Sequence, residues 1–467
     1  MTSTPENVLH LGKTPTSTVV KLAWPTILEQ MMYTVLNFSD TAMVGALGAA
    51  STAAVGLTST SIWLSGSVTS AISVGLSVQM AQAIGAKNQN RAQQVVDHIL
   101  PICTLMGTIL CVAFFCLSGA LPAWLGGEPE VIPLAQQYLR VIALSRLFEM
   151  FSSVFSAALR CMGDTHTPLR LNFSAILLNI LFNFLLIYPS RTVTAGGISF
   201  PVFGAGLGVA GAAWGTVLAL IFSSVFLGLS LRFGGRTIRL RLRGISLDRG
   251  VIWNMLRLGV PTAMEQFITT SGQVAATRIV STLGTVSVAA NHLAVSAESL
   301  SYMPAYGVSV ATTTLVSQSI GAGEKDGAMN FGRIANRLGF CAMAFVGVLL
   351  FALSEPLIGL FTRDEEVIAL GAAMLRIVAV AQPLNASCSI LSGALRGAGD
   401  AKGPFIICAS CMWGLRLTLS CLFVFVFHWG LHGIWIAMII DNMTRGAWCI
   451  ARWHRGRWRE SATFSGE

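Results

Sequence analysis

Long apolar runs separated by short polar stretches dominate the chain. Most approach or exceed the roughly 20 residues that a helix needs to cross a bilayer. Uninterrupted hydrophobicity over this length predicts membrane-spanning α-helices rather than buried strands. The runs are Leu22–Val44, Ala53–Ile84, Val95–Leu121, Val131–Ala158, Leu171–Tyr188, Gly206–Leu231, Leu258–Leu283, Val288–Ile320, Leu338–Leu353, Val367–Leu395, Pro404–Phe427 and Gly430–Ile450.

The predicted fold class is therefore all-α integral membrane, with about twelve transmembrane helices. Composition agrees, because 54% of residues are hydrophobic and only 11% are charged, against roughly 25% charged in soluble domains. The polar stretch Met1–Lys21 lacks the apolar segment and cleavage site of a secretory signal. We expect it to remain as a cytoplasmic segment, with the first span acting as the insertion signal.

Positive charge falls in alternate connections between the runs. The connections after even-numbered spans carry Lys and Arg, while the others are almost free of them, with Arg191 and Arg363 as the main exceptions. The positive-inside rule then predicts that both termini are cytoplasmic, in a multi-pass protein of the cell inner membrane. This distribution explains the net charge of +9 without a nucleic acid partner. The most basic connection follows span six and contains Arg232, Arg236, Arg239, Arg241, Arg243, Arg249 and Arg257.

The chain repeats itself at a constant offset of 236 positions. Charged, Gly and Pro positions keep this register across four spans, which apolar composition alone does not produce. Each repeat has an even number of spans, so we predict two parallel six-helix repeats related by an axis along the membrane normal. The matching motifs are Leu22-x-x-Pro25-Thr26-x-x-Glu29-Gln30 with Leu258-x-x-Pro261-Thr262-x-x-Glu265-Gln266, Gln82-x-Ile84-Gly85-Ala86 with Gln318-x-Ile320-Gly321-Ala322, and Ala158-Leu159-Arg160-x-x-Gly163-Asp164 with Ala394-Leu395-Arg396-x-x-Gly399-Asp400.

This repeat predicts two lobes joined by the basic connection. Two such lobes, enclosing a cavity that opens alternately to each side, have the geometry of a transporter. The register ends after span five, where Pro189–Ala205 has no counterpart of similar length and predicts a longer outer loop. The predicted divisions are an N-terminal segment 1–21, a first lobe 22–231, a linker 232–257, a second lobe 258–450 and a cytoplasmic tail 451–467.

The paired motifs resemble those of the multidrug and toxic compound extrusion (MATE) family over nearly the whole chain, from Leu22 to about Arg452. The resemblance depends on the early proline of spans one and seven, the Gln-x-Ile-Gly-Ala ends of spans two and eight, and the Leu-Arg-x-x-Gly-Asp loops. The resemblance implies export of organic, often cationic, compounds in exchange for protons or sodium. It implies a secondary transporter rather than an enzyme.

A stripe of polar residues follows one face of span one. Glu29, Tyr33, Asn37 and Asp40 are spaced so that they share a helical face. The second repeat matches Glu29 with Glu265 but places an alanine opposite Asp40. An acid at mid-bilayer costs roughly 2.5–3.5 kcal/mol on insertion scales, so its presence requires a reason. Asp40 is the better candidate for an ion site specific to one lobe.

Span five adds Asn179 and Asn183, one helical turn apart. The resemblance implies a first-lobe cavity that joins the acid of span one to polar residues of span five. We therefore expect Asp40, Asn179 and Asn183 to bind a proton, or a sodium ion through oxygen ligands. Some relatives carry a second acid where this chain has Asn183, so the choice between proton and sodium stays open.

Glu265 matches a span-seven acid that other branches of the family use, and we predict that it also takes part in ion coupling. Those branches often add an acid in span ten, where this chain has Asn385. For Glu29, Glu265 and Asp40, capping or snorkelling at a helix end is the alternative. The predicted substrate-contacting residues are Glu29, Tyr33, Asn37, Gln266, Gln273, Glu298 and Asn385.

Other charged residues within the spans have a structural interpretation. Arg146 and Glu149 are expected to pair with each other or with Arg140, and Glu298, His292 and Arg278 either line the second-lobe cavity or satisfy one another. Arg416 has no partner that the sequence identifies.

The remaining expectations concern cofactors and partners. The seven His residues make no metal-ligand spacing, so we expect no cofactor and no structural metal, with a proton or Na⁺ as coupling ion. The expected partners are the lipid bilayer and small organic substrates, without nucleic acid, for a monomeric protein. A flippase for lipid-linked saccharides is the alternative function, and a strongly cationic cavity would favour it.

Overall fold

The computed structural model describes residues 8–195, 198–235, 237–241 and 248–461. The beginning of the predicted N-terminal segment, the end of the tail, and Arg236 and Arg243 of the linker lie outside these residues. The first part of the chain forms a 3₁₀ turn Val8–His10, then α1 (Pro15–Gly45), α2 (Ala49–Gly85), α3 (Gln89–Asp97), α4 (Ile99–Leu117), α5 (Leu121–Trp124), α6 (Val131–Cys161), α7 (His166–Leu186), β1 (Pro189–Ala195), β2 (Ile198–Ala205) and α8 (Val209–Phe233).

The second part is also helical, with two π-helical stretches. It comprises α9 (Arg249–Ser281), α10 (Thr285–Ser301), α11 (Met303–Gly321), α12 (Lys325–Ala352), α13 (Ser354–Gly359), α14 (Glu365–Ala379), α15 (Gln382–Gly397), α16 (Lys402–Ala409), a π-helical Ser410–Leu417, α17 (Thr418–Cys421), a π-helical Leu422–Val426, α18 (Gly430–Arg455) and α19 (Trp458–Ser461).

Three of the predicted spans are interrupted shortly before a proline. The breaks lie between α3 and α4, between α10 and α11, and between α14 and α15, which meet at an angle of 55°. Pro101, Pro304 and Pro383 each lie in the first turn after the break. Proline has no N–H to donate and its ring clashes with the carbonyl four residues earlier, so the preceding helix ends there.

Two other prolines remain inside continuous helices. Pro25 lies within α1 and Pro261 within α9. The threonine that follows each one donates its hydroxyl proton to a carbonyl of the preceding turn, from Thr26 to Leu22 O at 3.3 Å and from Thr262 to Leu258 O at 2.9 Å. These side-chain bonds replace part of what the proline removes, because they satisfy a carbonyl of the turn that the proline disturbs.

The long connection between α7 and α8 contains a β-hairpin. β1 and β2 pair antiparallel, with Thr192 opposite Pro201 and Val193 opposite Phe200. The prediction of an all-α protein is therefore incomplete at this loop. The alternation of β-branched and aromatic residues in Arg191–Thr194 and Ile198–Phe203 favours strands over helix.

The Leu-Arg-x-x-Gly-Asp motifs form the same turn in both halves. Gly163 has φ +85° and Gly399 has φ +90°, a left-handed conformation that glycine adopts without strain. The following aspartate N–H donates back to a leucine carbonyl, from Asp164 to Leu159 O at 3.0 Å and from Asp400 to Leu395 O. This is a Schellman helix end.

The chain divides into two compact units. The first consists of residues 32–80 and 89–253, and the second of residues 8–31, 81–88 and 254–461, within the described ranges. Within the first unit, α4, α6, α7 and α8 pack against one another. Within the second, α11, α12 and α15 enclose a core that includes Leu315, Ala335 and Ile390.

Many of the helices are suited to a membrane. Seven helices of the described chain are long and apolar enough to cross a bilayer, or eight when the bent pair α14 and α15 counts as one span. α1, α9 and α18 have 31, 33 and 26 residues and are long enough, but they are less apolar. Polar residues on these helices account for much of the candidate site.

Candidate ion and substrate site

Asp40, Asn179 and Asn183 meet in the first unit. Asp40 lies on α1, and the two asparagines lie one turn apart on α7. The Asn183 amide donates to Asp40 Oδ1 at 2.6 Å and to Asn179 Oδ1 at 3.0 Å. Both asparagines are buried. The structure therefore brings together the three residues that the sequence analysis grouped as an ion site.

Thr216 on α8 extends this group. Asn179 Nδ2 donates to Thr216 Oγ1 at 3.3 Å. With the Asn179 amide turned by 180°, its nitrogen donates to Asp40 Oδ1 at 2.8 Å instead, and its oxygen accepts from the Thr216 N–H. In the first orientation Asn179 reaches the acid through Asn183, and in the second it contacts the acid directly. The sequence analysis missed Thr216, because nothing in the sequence distinguishes it from other hydroxyl residues of span six.

Asn183 fits against α8 because residue 215 is glycine. A Cβ at Gly215 would lie 2.1 Å from Asn183 Oδ1. That oxygen is buried and accepts no hydrogen bond within the described chain. This oxygen can therefore accept a hydrogen bond or coordinate a cation. One carboxylate, amide oxygens and a hydroxyl form the kind of oxygen set that accepts a proton or a hard cation.

Arg146 and Glu149 form the expected pair on α6. Their side chains approach to 2.6 Å, so this prediction is confirmed. Arg146 also donates to Ser65 Oγ at 3.2 Å and to Ser145 Oγ at 2.8 Å. Tyr33 lies within electrostatic range of this pair and of Asp40, and its side chain is 52% exposed. The polar face of α1 therefore extends toward Arg146 and Glu149, whose opposite charges neutralise each other.

Asp40 differs from Glu149 in having no basic partner. None of the described Lys, Arg or His side chains forms an ion pair with Asp40. A carboxylate in a membrane segment without a counter-charge is unfavourable unless a cation or proton is bound there.

In the second unit, Glu265 is paired with a base. Arg396 Nη2 donates to Glu265 Oε1 at 3.2 Å, and the two side chains are 21% and 17% exposed. Arg396 belongs to the second Leu-Arg-x-x-Gly-Asp motif. The sequence analysis quoted this arginine only as a family motif and did not connect it with the acid. Glu265 therefore shares its charge with Arg396, whereas Asp40 has no such partner among the described residues.

A buried charge cluster lies on the last helices of the second unit. Asp441 and Arg445 of α18 form a close ion pair, and Arg416 Nη1 lies 4.0 Å from Asp441. Glu298 is buried, within electrostatic range of Arg416 and next to the amide of Gln382. Asp441 is thus the partner of Arg416 that the sequence analysis did not find. The i, i+4 spacing of Asp441 and Arg445 was the available signal.

The other predicted substrate-contacting residues lie on α1, α9 and α15. Gln266 and Gln273 are exposed on α9, Asn37 is exposed on α1, and Glu29 and Asn385 are half-buried. Among the described residues, no side-chain hydrogen bond links Gln266, Gln273 and Asn385 to one another. Their assignment to substrate remains a prediction.

The helices and the buried charged groups define the class of protein as a multi-pass helical membrane transporter, and comparison with known proteins identifies the family. The MatE family model matches residues 25–185 and 261–422. The chain therefore belongs to the MATE (multidrug and toxic compound extrusion) family. The second match begins 236 positions after the first, the offset of the repeated motifs.

Named relatives cover nearly the whole chain. A probable multidrug resistance protein NorM of Thermotoga maritima is 30% identical over 456 residues, which are 96% of this chain and 94% of that protein. An uncharacterized transporter YisQ of Bacillus subtilis is 26% identical over 446 residues, 95% of each chain. The protein is accordingly a membrane transporter of the multidrug efflux type, not an enzyme.

Solved structures share the fold. An outward-facing multidrug resistance MATE transporter of the MOP superfamily aligns with a TM-score of 0.89 at 24% identity, covering 100% of both chains. A MOP superfamily transporter of Pyrococcus furiosus, whose binding pocket is described as having reversed polarity, also has a TM-score of 0.89 at 24% identity, over 98% of this chain and 99% of that one. At this identity the similarity establishes the fold alone.

Proposed function

We propose that the protein is an antiporter that exports organic, often cationic, compounds in exchange for protons or Na⁺. It works by alternating access of two parallel six-helix repeats, with both termini cytoplasmic, in the cell inner membrane. The observation that supports this most directly is the carboxylate of Asp40, which has no ion-pair partner among the described residues and is held by Asn183 at 2.6 Å.

Competition for one negative charge provides the coupling. When Asp40 is ionised, its charge attracts a cation, because no basic side chain of the described residues neutralises it. Binding of a proton or Na⁺ removes that charge, so an organic cation loses its electrostatic attraction and leaves. The Asn179 and Asn183 amides support both states, since an amide donates to a carboxylate and its oxygen coordinates a cation.

Glu265 has a secondary part in this proposal. Arg396 shares its charge, so Glu265 contributes to coupling only when this pair opens. We expect substrate to contact the polar face of α1 at Glu29, Tyr33 and Asn37. In the second half we expect contacts at Gln266, Gln273, Glu298 and Asn385.

The alternative function, a flippase for lipid-linked saccharides, would be favoured by a cavity with excess positive charge. In the second unit Arg396, Arg416 and Arg445 each lie near an acid, namely Glu265, Glu298 or Asp441. These three arginines therefore supply no uncompensated positive charge, which supports the exporter.

Transport by the purified full chain in liposomes tests the proposal. Vesicles loaded with a cationic fluorescent dye receive a proton gradient or a Na⁺ gradient, each imposed alone. We expect one of them to drive dye across the membrane, and Asp40→Asn to abolish that response. Dye movement that ignores both gradients, or gradient-driven movement of a lipid-linked saccharide in place of dye, would overturn the proposal.

A further inference from the structure

A groove opens between the ends of α7 and α8 in the first unit. It is open to its surroundings, has a volume of about 380 Å³ and is lined by Thr167, Arg170, Leu171, Phe226, Leu229 and Ser230. α7 begins at His166 and α8 ends at Phe233. The groove therefore lies at the end of the bundle that carries the basic connections, which we expect to face the cytoplasm.

The lining of this groove is amphipathic. Thr167, Arg170 and Ser230 supply polar groups near the helix ends. Leu171, Phe226 and Leu229 supply an apolar surface on two membrane helices. A soluble anion would use only the polar half of this surface. A ligand with an anionic head and a hydrocarbon chain would use both.

Arg170 makes no ion pair with any described side chain, and it is exposed. The nearby Asp164 instead accepts the Thr167 N–H at 2.9 Å. The internal repeat indicates that helix packing does not require an arginine here. The residue 236 positions after Arg170 is Ile406, and the one after Thr167 is Gly403.

We propose that this groove is a binding site for an anionic phospholipid. The phosphate accepts hydrogen bonds from the Arg170 guanidinium and the Thr167 hydroxyl, and one acyl chain lies along Leu171, Phe226 and Leu229. Basic pockets between membrane helices on the cytoplasmic side bind acidic headgroups in this way. The site is separate from Asp40 and does not depend on the transport mechanism.

Native mass spectrometry of the full-length, delipidated protein in detergent tests this site. The protein is titrated with dioleoyl phosphatidylglycerol and, in parallel, with dioleoyl phosphatidylcholine, which has the same chains and no net charge. We expect a first phosphatidylglycerol to bind several-fold more tightly than phosphatidylcholine. Arg170→Gln should weaken phosphatidylglycerol binding by about fivefold, the size expected for one basic residue near a membrane surface.

Matched variants separate this site from general charge attraction. Arg333→Gln removes one exposed arginine from α12, outside the groove. It should leave the preference for phosphatidylglycerol over phosphatidylcholine unchanged. Leu229→Trp fills the apolar part and should weaken both lipids. If Arg170→Gln and Arg333→Gln lose phosphatidylglycerol affinity equally, the proposal is overturned. Equal affinity of the parent protein for the two lipids would also overturn it. Competition by glycerol phosphate at the affinity of the lipid would assign the site to a soluble phosphate and also overturn it.

Discussion

Asn183 donates a hydrogen bond to Asp40 across 2.6 Å, and this amide holds a carboxylate that has no ion-pair partner among the described residues. We expect Asp40→Asn to reduce gradient-driven dye efflux to the rate seen without a gradient. The new amide is close in size, so it removes the charge and leaves the packing. Initial efflux rates from vesicles with each gradient imposed separately provide the measurement.

Asp326→Asn is the control for that experiment. Asp326 is a highly exposed acid whose side chain contacts Arg459, so its loss should leave efflux unchanged. Efflux in Asp40→Asn that still follows the gradient would show that the coupling ion binds elsewhere.

Asn183→Asp tests which ion the site takes. This substitution places a second carboxylate beside Asp40, which supplies a further anionic oxygen ligand for a metal cation. We expect the variant to bind Na⁺ more tightly than the parent protein, measured by calorimetry at fixed pH. Unchanged Na⁺ binding would show that these oxygens do not coordinate the ion. Asn172→Asp, on the same helix, is the control for added charge.

Gly215→Ala tests the close fit between α7 and α8. A Cβ at this position would lie 2.1 Å from Asn183 Oδ1, so the Asn183 side chain must shift and its hydrogen bond to Asp40 is disturbed. We expect loss of coupled efflux and a loss of stability of about 1–3 kcal/mol, the usual cost of overpacking. Gly66→Ala is the control, because nothing lies within 4 Å of a Cβ there. Equal efflux by both variants would argue against a precise position for Asn183.

The pair of Glu265 and Arg396 is tested by a double-mutant cycle. Arg396→Gln leaves a largely buried carboxylate without its base, so we expect a loss of roughly 3–5 kcal/mol in the free energy of unfolding. The double variant Glu265→Gln with Arg396→Gln should recover most of the lost free energy of unfolding. Thermal unfolding in detergent gives the stabilities. If the double variant also transports normally, the pair is structural. If it is stable and inactive, the pair takes part in transport, and the single variant Glu265→Gln shows whether the acid is responsible.

The sequence predicted the long helices and the meeting of Asp40 with Asn179 and Asn183. The helices follow from a local rule, namely apolar runs of membrane length, whereas the meeting of the three polar residues was expected from the family resemblance. The helix breaks could not be predicted in the same way. Pro383 lies directly after a helix end while Pro25 lies within a helix, although both prolines fall inside predicted spans.

Charge partners were predicted only when they were close in sequence. Arg146 and Glu149 are three residues apart on one helix, and their pair was expected. Arg396 lies 131 residues from Glu265, so its position depends on how α9 and α15 pack. Hydrophobic patterning does not specify the rotation and depth of packed helices well enough to identify such pairs.

The polar contacts of the linker with α3 give a prediction about pH. Arg91 Nη1 lies 2.5 Å from Asp248 Oδ2, the Gly250 N–H donates to Asp248 Oδ1, and His98 Nε2 accepts the Asp248 N–H at 2.7 Å. The hydrogen bond from Arg91, followed by that from the Gly250 N–H, lowers the pKa of Asp248 below its ordinary value. Asp248 therefore stays ionised throughout the neutral range.

A carboxylate with a lowered pKa stabilises the folded state above its ordinary pKa, and this contribution disappears as the pH falls through the lowered value. The contribution of Asp248 to holding the linker against α3 should therefore be constant between about pH 5 and 8. This range lies well above the ordinary aspartate pKa of about 3.9. We expect hydrogen exchange at the backbone amides of positions 248 and 250 to be faster in Asp248→Asn than in the parent protein, by the same factor at each pH in that range. The dependence of efflux on pH should keep its shape. Asn90→Asp adds a charge at an exposed position of α3 and leaves this carboxylate in place, so it serves as the control. A change in the efflux profile confined to Asp248→Asn would show that the linker titrates during transport.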